Sequence, residues 1–189
     1  MPSKPHLSWR TLPFLGLLGV SAWANASEPA VASLTPELRQ ALAGTWVYAG
    51  GAAQQSKVDA AVDRAVANLL PLSRKIATDA LTPRARPRPS YTLAFEGNVV
   101  RITSPDEVEE RGEIGGPAVS TTNRYGDHSQ TTFRIEGRSL VEAGGNSDGS
   151  GETVFTVTAD GGALLVRRVM RSSKLAAPVD VVFIYHRPG

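Results

Sequence analysis

The chain has 189 residues, no cysteine and a formal net charge of +2. This length supports one domain with a full core, and the lack of cysteine excludes disulfides, thiolate metal sites, iron–sulfur clusters and a cysteine nucleophile. Of the 20 basic residues, Lys4 and Arg10 lie in a leader segment, and the other 18 balance the 18 acidic residues. A neutral domain is a poor candidate for nucleic-acid binding through bulk charge.

Residues 1–26 have the pattern of a secretory signal peptide. A basic start precedes the short apolar run Leu12–Val20, and Ala24-Asn25-Ala26 is a small-x-small cleavage pattern. The run is shorter than the ~20 residues of a membrane-spanning helix, so an uncleaved anchor is the weaker alternative. We expect an exported protein, secreted or periplasmic, with a flexible lead-in at 27–34 and a single domain at 35–189.

The domain is predicted to begin with a short helix and a strand. Thr35 is a suitable N-cap, Pro36 suits the first helical position, and Gly44 ends the helix before a strand at 45–48. A helical segment at 54–80 follows, split near Pro71, because apolar residues recur there with a period of 3.6. These residues are Val58, Val62, Val66, Leu69 and Ile76.

The rest of the chain is predicted to be β-structure. Residues 81–90 alternate arginine and proline, which favours an extended, solvated linker. After them come short strands separated by glycine-rich turns, with longer loops at 104–116 and 144–151. The predicted strands are 91–95, 99–103, 118–125, 130–136, 139–143, 152–158, 163–172 and 179–186. With the first strand, this spacing predicts a mainly β fold, an antiparallel up-and-down barrel of about 8–10 strands with a helical insertion after the first strand.

Closing the first strand onto the last would remove both exposed sheet edges. Trp46 begins the first strand and Arg187 ends the last, so antiparallel pairing would bring them together. Arg187 is then expected to cover the Trp46 ring as a cation–π pair.

Gly44-x-Trp46, the helices after the first strand and Arg187 resemble features of the calycins, the group of lipocalins and fatty-acid-binding proteins. The resemblance implies a barrel closed around Gly44, Trp46 and Arg187, and a hydrophobic ligand such as a fatty acid. In fatty-acid-binding proteins an Arg-x-Tyr pair on the last strand holds the ligand carboxylate, whereas here Tyr185-His186-Arg187 has the reverse order.

Strand alternation selects candidate ligand-binding residues. Arg168 shares one strand face with Leu164, Val166 and Met170, and a buried arginine needs a carboxylate, backbone carbonyls or an anionic ligand. We expect Arg168, helped by Tyr185, to hold the acidic head of a lipophilic ligand; the alternatives are an arginine at the rim or paired with a core acid. The other candidate wall residues, which could equally pack the core, are Tyr48, Phe95, Phe155 and Met170.

No catalytic motif, metal-ligand pattern or cofactor fingerprint is found. After the leader, His128 and His186 are the remaining histidines. His128 lies in a predicted turn, where residues next to one another in sequence point in different directions and so do not form a catalytic triad. We therefore expect no enzyme activity, no metal and no cofactor. The favoured function is an exported carrier of a lipophilic, possibly anionic, small molecule. The alternatives are a protein-interaction module with a side-chain-filled barrel and, third, an enzyme with a carboxylate near His128 or His186.

Overall fold

The computed structural model describes residues 33–105 and 107–189. The predicted signal peptide, residues 27–32 of the predicted lead-in, and Asp106 lie outside this part. Among the described helices, none combines the length and apolar character needed to cross a bilayer.

The described chain forms three helices and ten strands. In chain order they are α1 Pro36–Leu42, β1 Gly44–Tyr48, α2 Ala52–Ala65, α3 Pro71–Ala85, β2 Ser90–Glu96, β3 Val99–Thr103, β4 Glu110–Glu113, β5 Val119–Thr122, β6 His128–Glu136, β7 Ser139–Asn146, β8 Gly149–Val157, β9 Ala163–Arg171 and β10 Val179–His186.

The strands form one antiparallel sheet in the order β4-β3-β2-β1-β10-β9-β8-β7-β6-β5. Strands that follow one another in the chain are paired in the sheet, except β4 and β5, which are its two edges. In addition, the first strand pairs with the last: Tyr48 of β1 lies opposite Tyr185 of β10. The predicted up-and-down barrel, with helices after the first strand, is confirmed.

The barrel is nearly closed between its two edges. Ile114, just after β4, makes a parallel bridge to Phe133 of β6. The Gly115 amide donates to the Phe133 carbonyl at 2.7 Å. Within residues 33–105 and 107–189, this bridge and its hydrogen bond take the place of the ladder that two paired strands would make.

Two loops were predicted too long. The segment 104–116 contains β4, whose Glu-Arg-Gly-Glu sequence is typical of an exposed edge and carries no apolar alternation. The segment 144–151 is mostly strand, because β7 continues to Asn146 and β8 starts at Gly149.

The C-terminal end of α1 is held by the end of the chain. Arg187 donates to the Ala43 and Ala41 carbonyls at 3.0 and 2.9 Å, and its guanidinium lies 4.2 Å from the Trp46 ring centroid, as predicted. It thus satisfies carbonyls that a helix end leaves free. Gly44 has φ +110°, a backbone conformation that favours glycine, and a Cβ there would lie 2.8 Å from the arginine Nη1 and displace the guanidinium.

The helices after β1 differ from the predicted segment at both ends. α2 begins at Ala52, after Gly51, two residues before the predicted start at 54. Pro71 starts α3 as expected, but α3 continues through Pro83 to Ala85, so the predicted 81–90 linker is half helical. The predicted apolar stripe also ends early, since Ile76 is 62% exposed.

The core joins α2 to the barrel interior. α2 buries Val58, Ala61, Val62 and Ala65 beside the inner face of β10. The interior side chains include Trp46, Tyr91, Phe133, Phe155, Phe183 and Tyr185. Part of the barrel is therefore filled with packed side chains, and the rest is open.

Candidate functional site: a charged cavity at the barrel mouth

A cavity of about 420 Å³ lies between the end of α3, the β5–β6 and β7–β8 hairpins, and β9. A chamber of about 70 Å³ adjoins it and reaches Tyr91 and Ile102 on the inner side of β2 and β3. The residues that line both spaces are Arg88, Glu107, Glu110, Glu142, Thr153 and Arg168. The residues shared by the two spaces are therefore polar or charged, and they carry both signs of charge.

Arg168 lies on the inner face of β9 because it alternates with buried Leu164 and Val166. Its Nη1 donates to the Arg86 carbonyl at 3.3 Å, and this is its one hydrogen bond within the described ranges 33–105 and 107–189. A guanidinium has several further N–H donors. Arg168 therefore presents unused donors to the cavity.

Glu110 and Glu142 meet inside the barrel, although they belong to β4 and β7. Burial raises the pKa of the Glu142 carboxyl well above its usual range, and the charge and hydrogen bond of the Glu110 carboxyl raise it further. Arg168 and Arg88 act in the opposite direction. Two carboxyl groups in contact oppose each other's ionisation, so the Glu142 carboxyl keeps its proton to a higher pH than an exposed glutamic acid does.

A second arginine, Arg88, is neutralised within the wall. Its guanidinium forms an ion pair with Glu107, and the two side chains are only 12% and 11% exposed. The same carboxylate lies 3.2 Å from Arg124 Nε. The Arg88 carbonyl accepts a hydrogen bond from the Tyr185 hydroxyl at 3.1 Å, which fixes this segment over the barrel interior.

The outer part of the mouth is held by contacts between α3 and the β5–β6 hairpin. Arg84 Nη2 lies 3.0 Å from Asp127 Oδ2, and the Arg84 guanidinium lies 4.1 Å from the Tyr125 ring centroid. Hydrogen bonds from Asn123 and then from Arg84 lower the pKa of the Asp127 carboxyl. This set of contacts, here called the α3–hairpin latch, joins Arg84, Asn123, Tyr125 and Asp127.

Neutral hydroxyl groups cover the opposite wall. Thr121 Oγ1 lies 2.9 Å from Ser129 Oγ and 2.8 Å from Thr131 Oγ1. All three line the larger cavity beside Gly144. They offer hydrogen bonds without charge to a molecule that reaches this wall.

The predicted ligand residues fall into two groups. Arg168 and Met170 line the larger cavity. Tyr48 packs against Tyr185 at 5.6 Å between ring centroids, Phe155 packs against Tyr91 at 5.1 Å, and Phe95 is half-buried against the core. The structure thus places Tyr48, Phe95, Phe155 and Tyr185 among packed side chains, and a ligand role for any of these residues stays a prediction.

Sequence reasoning missed Glu142, Glu110, Glu107 and Arg88. A signal for Glu142 was present, because it follows Leu140 by two residues and so shares the inner face of β7. Glu110, Glu107 and Arg88 lay in segments predicted as loop or linker, where alternation gives no inward direction.

The histidines lie away from the cavity. His128 Nδ1 lies 2.8 Å from the Thr122 hydroxyl, and His186 Nδ1 lies 3.1 Å from the Gly162 carbonyl. Both side chains are exposed and neither lines the described cavities. The third alternative, an enzyme, predicts a carboxylate near His128 or His186 in a cleft.

The barrel and the helices after its first strand define a calycin-type β-barrel. No family model matches the sequence, and no curated protein matches it. Among solved structures, zebrafish ileal bile acid-binding protein complexed with cholic acid is 11% identical, with a TM-score of 0.51 over 78% of this chain and 99% of that one. Apo lipid binding protein 8 of Caenorhabditis elegans is 12% identical, with a TM-score of 0.50 over 79% of this chain and 96% of that one. At this identity the likeness establishes the fold.

Proposed function

We propose that the protein is an exported carrier that binds a small amphipathic molecule with an anionic head group. The observation that carries the proposal is Arg168, a half-buried arginine on the inner wall of a solvent-open cavity. The cavity volume of about 420 Å³ lies within the range of small-molecule sites. A guanidinium with unused donors in such a place favours a carboxylate, sulfonate or phosphate.

The wall also offers apolar contacts for the rest of the ligand. Leu81 of α3, Met170 of β9 and Leu175 before β10 line the same cavity as Arg168. Their side chains would contact a short apolar body while the head group reaches inward. Both solved structures reported above are described as bile acid- or lipid-binding proteins, which supports the proposal by analogy of fold.

The test compares two neighbouring arginines that point to opposite faces of β9. Arg168→Leu removes the inner guanidinium, whereas Arg167→Leu removes an exposed one that pairs with Asp180 at 2.9 Å. We expect Arg168→Leu to weaken dodecanoate binding by about 10- to 100-fold, the value of a charge-assisted hydrogen bond. Isothermal titration measures the affinities, and mass spectrometry of the organic extract identifies any molecule that co-purifies.

The control Arg167→Leu should bind dodecanoate as the unsubstituted protein does. If the folded protein yields an empty extract and takes up no dodecanoate, the proposal is overturned. Equal affinities in the two arginine variants would refute the role given to Arg168.

Export is tested separately. The proposal supposes cleavage of residues 1–26, so the protein recovered outside the cytoplasm should begin at Ser27 on N-terminal sequencing. A protein that retains Met1 after export would contradict cleavage at this place.

One observation favours a second candidate, the interaction module with a filled barrel. The rings of Tyr48, Tyr91, Phe155, Phe183 and Tyr185 pack against one another and occupy the interior beside the cavity. This candidate predicts that Arg168→Leu leaves ligand affinity unchanged. It also predicts that substitutions in the exposed β7–β8 turn impair the interaction with a protein partner.

A further inference from the structure

The Glu110 and Glu142 carboxyls come from distant parts of the sheet. β4 is one edge of the sheet, and β7 lies near the other edge, so the two carboxyls meet only because the sheet curls into a barrel. Both line the larger cavity and the adjoining chamber. If these positions served only to pack the interior, apolar residues could occupy them instead of the two glutamates.

The groups that face this pair come from several elements. Arg168 approaches from β9, Arg88 and its partner Glu107 from the segments before β2 and β4, and Tyr91 from β2. Across the strands, Glu142 is opposite Phe133 of β6 and Thr153 of β8, which carry no charge. Arg168 and Arg88 are the cations that favour the ionised Glu142 carboxyl, and Arg88 also forms an ion pair with Glu107.

A bound anion would change the charge balance around Glu142. Without a ligand, Arg168 and Arg88 favour the ionised form of the Glu142 carboxyl. An anionic head group that pairs with Arg168 would add a negative charge beside this carboxyl, in a space screened poorly by water. The Glu142 carboxylate relieves the repulsion by taking a proton from solvent, which forms an O–H bond and leaves this carboxyl neutral.

We propose that Glu142, in contact with Glu110, takes up a proton when an anionic head group binds Arg168, so that the site holds anionic ligands more tightly as the pH falls. The inference rests on the proposed function and adds its regulation. Ligand would be held in a more acidic compartment and released in a less acidic one.

The experiment uses two fluorescent probes with the same apolar body. Anilinonaphthalene sulfonate keeps its negative charge throughout the pH range, and phenylnaphthylamine has no acidic group. We expect the affinity for the sulfonate to fall by up to about tenfold for each unit that the pH rises where Glu142 titrates, because one proton is linked to one ligand. Phenylnaphthylamine affinity should stay constant. Titration calorimetry in two buffers of different ionisation enthalpy should give about one proton taken up per sulfonate bound.

Substitution of one carboxyl should remove the linkage. Glu142→Gln keeps the shape and a hydrogen-bonding group, so sulfonate affinity should become nearly independent of pH between about pH 5.5 and 8. Glu110→Gln is the second variant, and a thermal melt establishes that each folds. Glu136→Gln is the control, because Glu136 is exposed and pairs with Arg134 at 2.7 Å; it should keep the slope.

The two proposals fail in different ways. If neither probe binds at any pH, the binding function itself is wrong. If both probes bind but the sulfonate curve is flat and no proton is taken up, the proton linkage is wrong and the carrier function survives.

Discussion

At the scale of single residues, Glu142 sets a pH dependence of stability in the protein without ligand. Its pKa is raised above the ordinary value of 4.5, chiefly by burial. Between that value and the raised one, the folded state binds more protons than the unfolded state, so stability falls as the pH rises. We predict that Glu142→Gln removes this loss and melts at a higher temperature than the unsubstituted protein near neutral pH.

The measurement is a series of thermal melts from about pH 4 to pH 8. Glu136→Gln should keep the original slope, because that carboxyl is exposed and paired on the outer surface. Parallel curves for Glu142→Gln and the unsubstituted protein would show that Glu142 ionises as readily in the folded chain as in the unfolded one.

At the scale of elements, the α3–hairpin latch decides how firmly the cavity mouth is held. Partly exposed ion pairs contribute about 0.2–1 kcal/mol, so Asp127→Asn should hardly change global stability. It should instead speed local amide exchange, because the end of α3 and the hairpin are tied by few other contacts. The reporting amides are Arg86, which donates to the Thr82 carbonyl, and Gly126, which donates to the Asn123 carbonyl.

The matched control is Asp79→Asn, which breaks the exposed pair between Lys75 and Asp79 inside the same helix. It leaves the hairpin untouched, so the Gly126 amide should exchange as before. The latch would be contradicted if the Gly126 amide exchanged faster in Asp79→Asn, or if its exchange did not become faster in Asp127→Asn.

The elements also show what a sequence can reveal of this fold and what it cannot. Inner and outer faces of β9 and β10 follow from alternation, and the Trp46–Arg187 contact follows from pairing the first strand with the last. The charged wall of the cavity does not follow from the sequence pattern, because Arg88 meets Glu107, and Glu110 meets Glu142, only once the sheet has curled into a barrel. The Arg-Pro alternation of 81–90 was misleading, since Arg84 belongs to a helix and Arg88 is buried in an ion pair.

At the scale of the whole molecule, closure of the barrel depends on a close approach at its one gap. A Cβ on Gly112 of β4 would lie 2.5 Å from two ring carbons of Phe133, and the Phe133 carbonyl accepts the hydrogen bond from Gly115 that joins the β4 side of the gap to β6. Gly112→Ala should therefore force the edges apart and cost about 1–3 kcal/mol of unfolding free energy, the usual cost of overpacking.

Gly151→Ala is the matched control, because Gly151 also lies in a strand but a Cβ there would meet the Val169 carbonyl only at 3.4 Å. Denaturant unfolding measures the two free energies, and amide exchange at Gly115 reports the gap directly. In Gly112→Ala, the free energy of exchange of the Gly115 amide should fall by more than the free energy of global unfolding, because β4 is an edge strand that pairs on one side. If both alanine variants unfold alike and Gly115 stays protected, the gap is held by the sheet as a whole and not by the contact at Phe133.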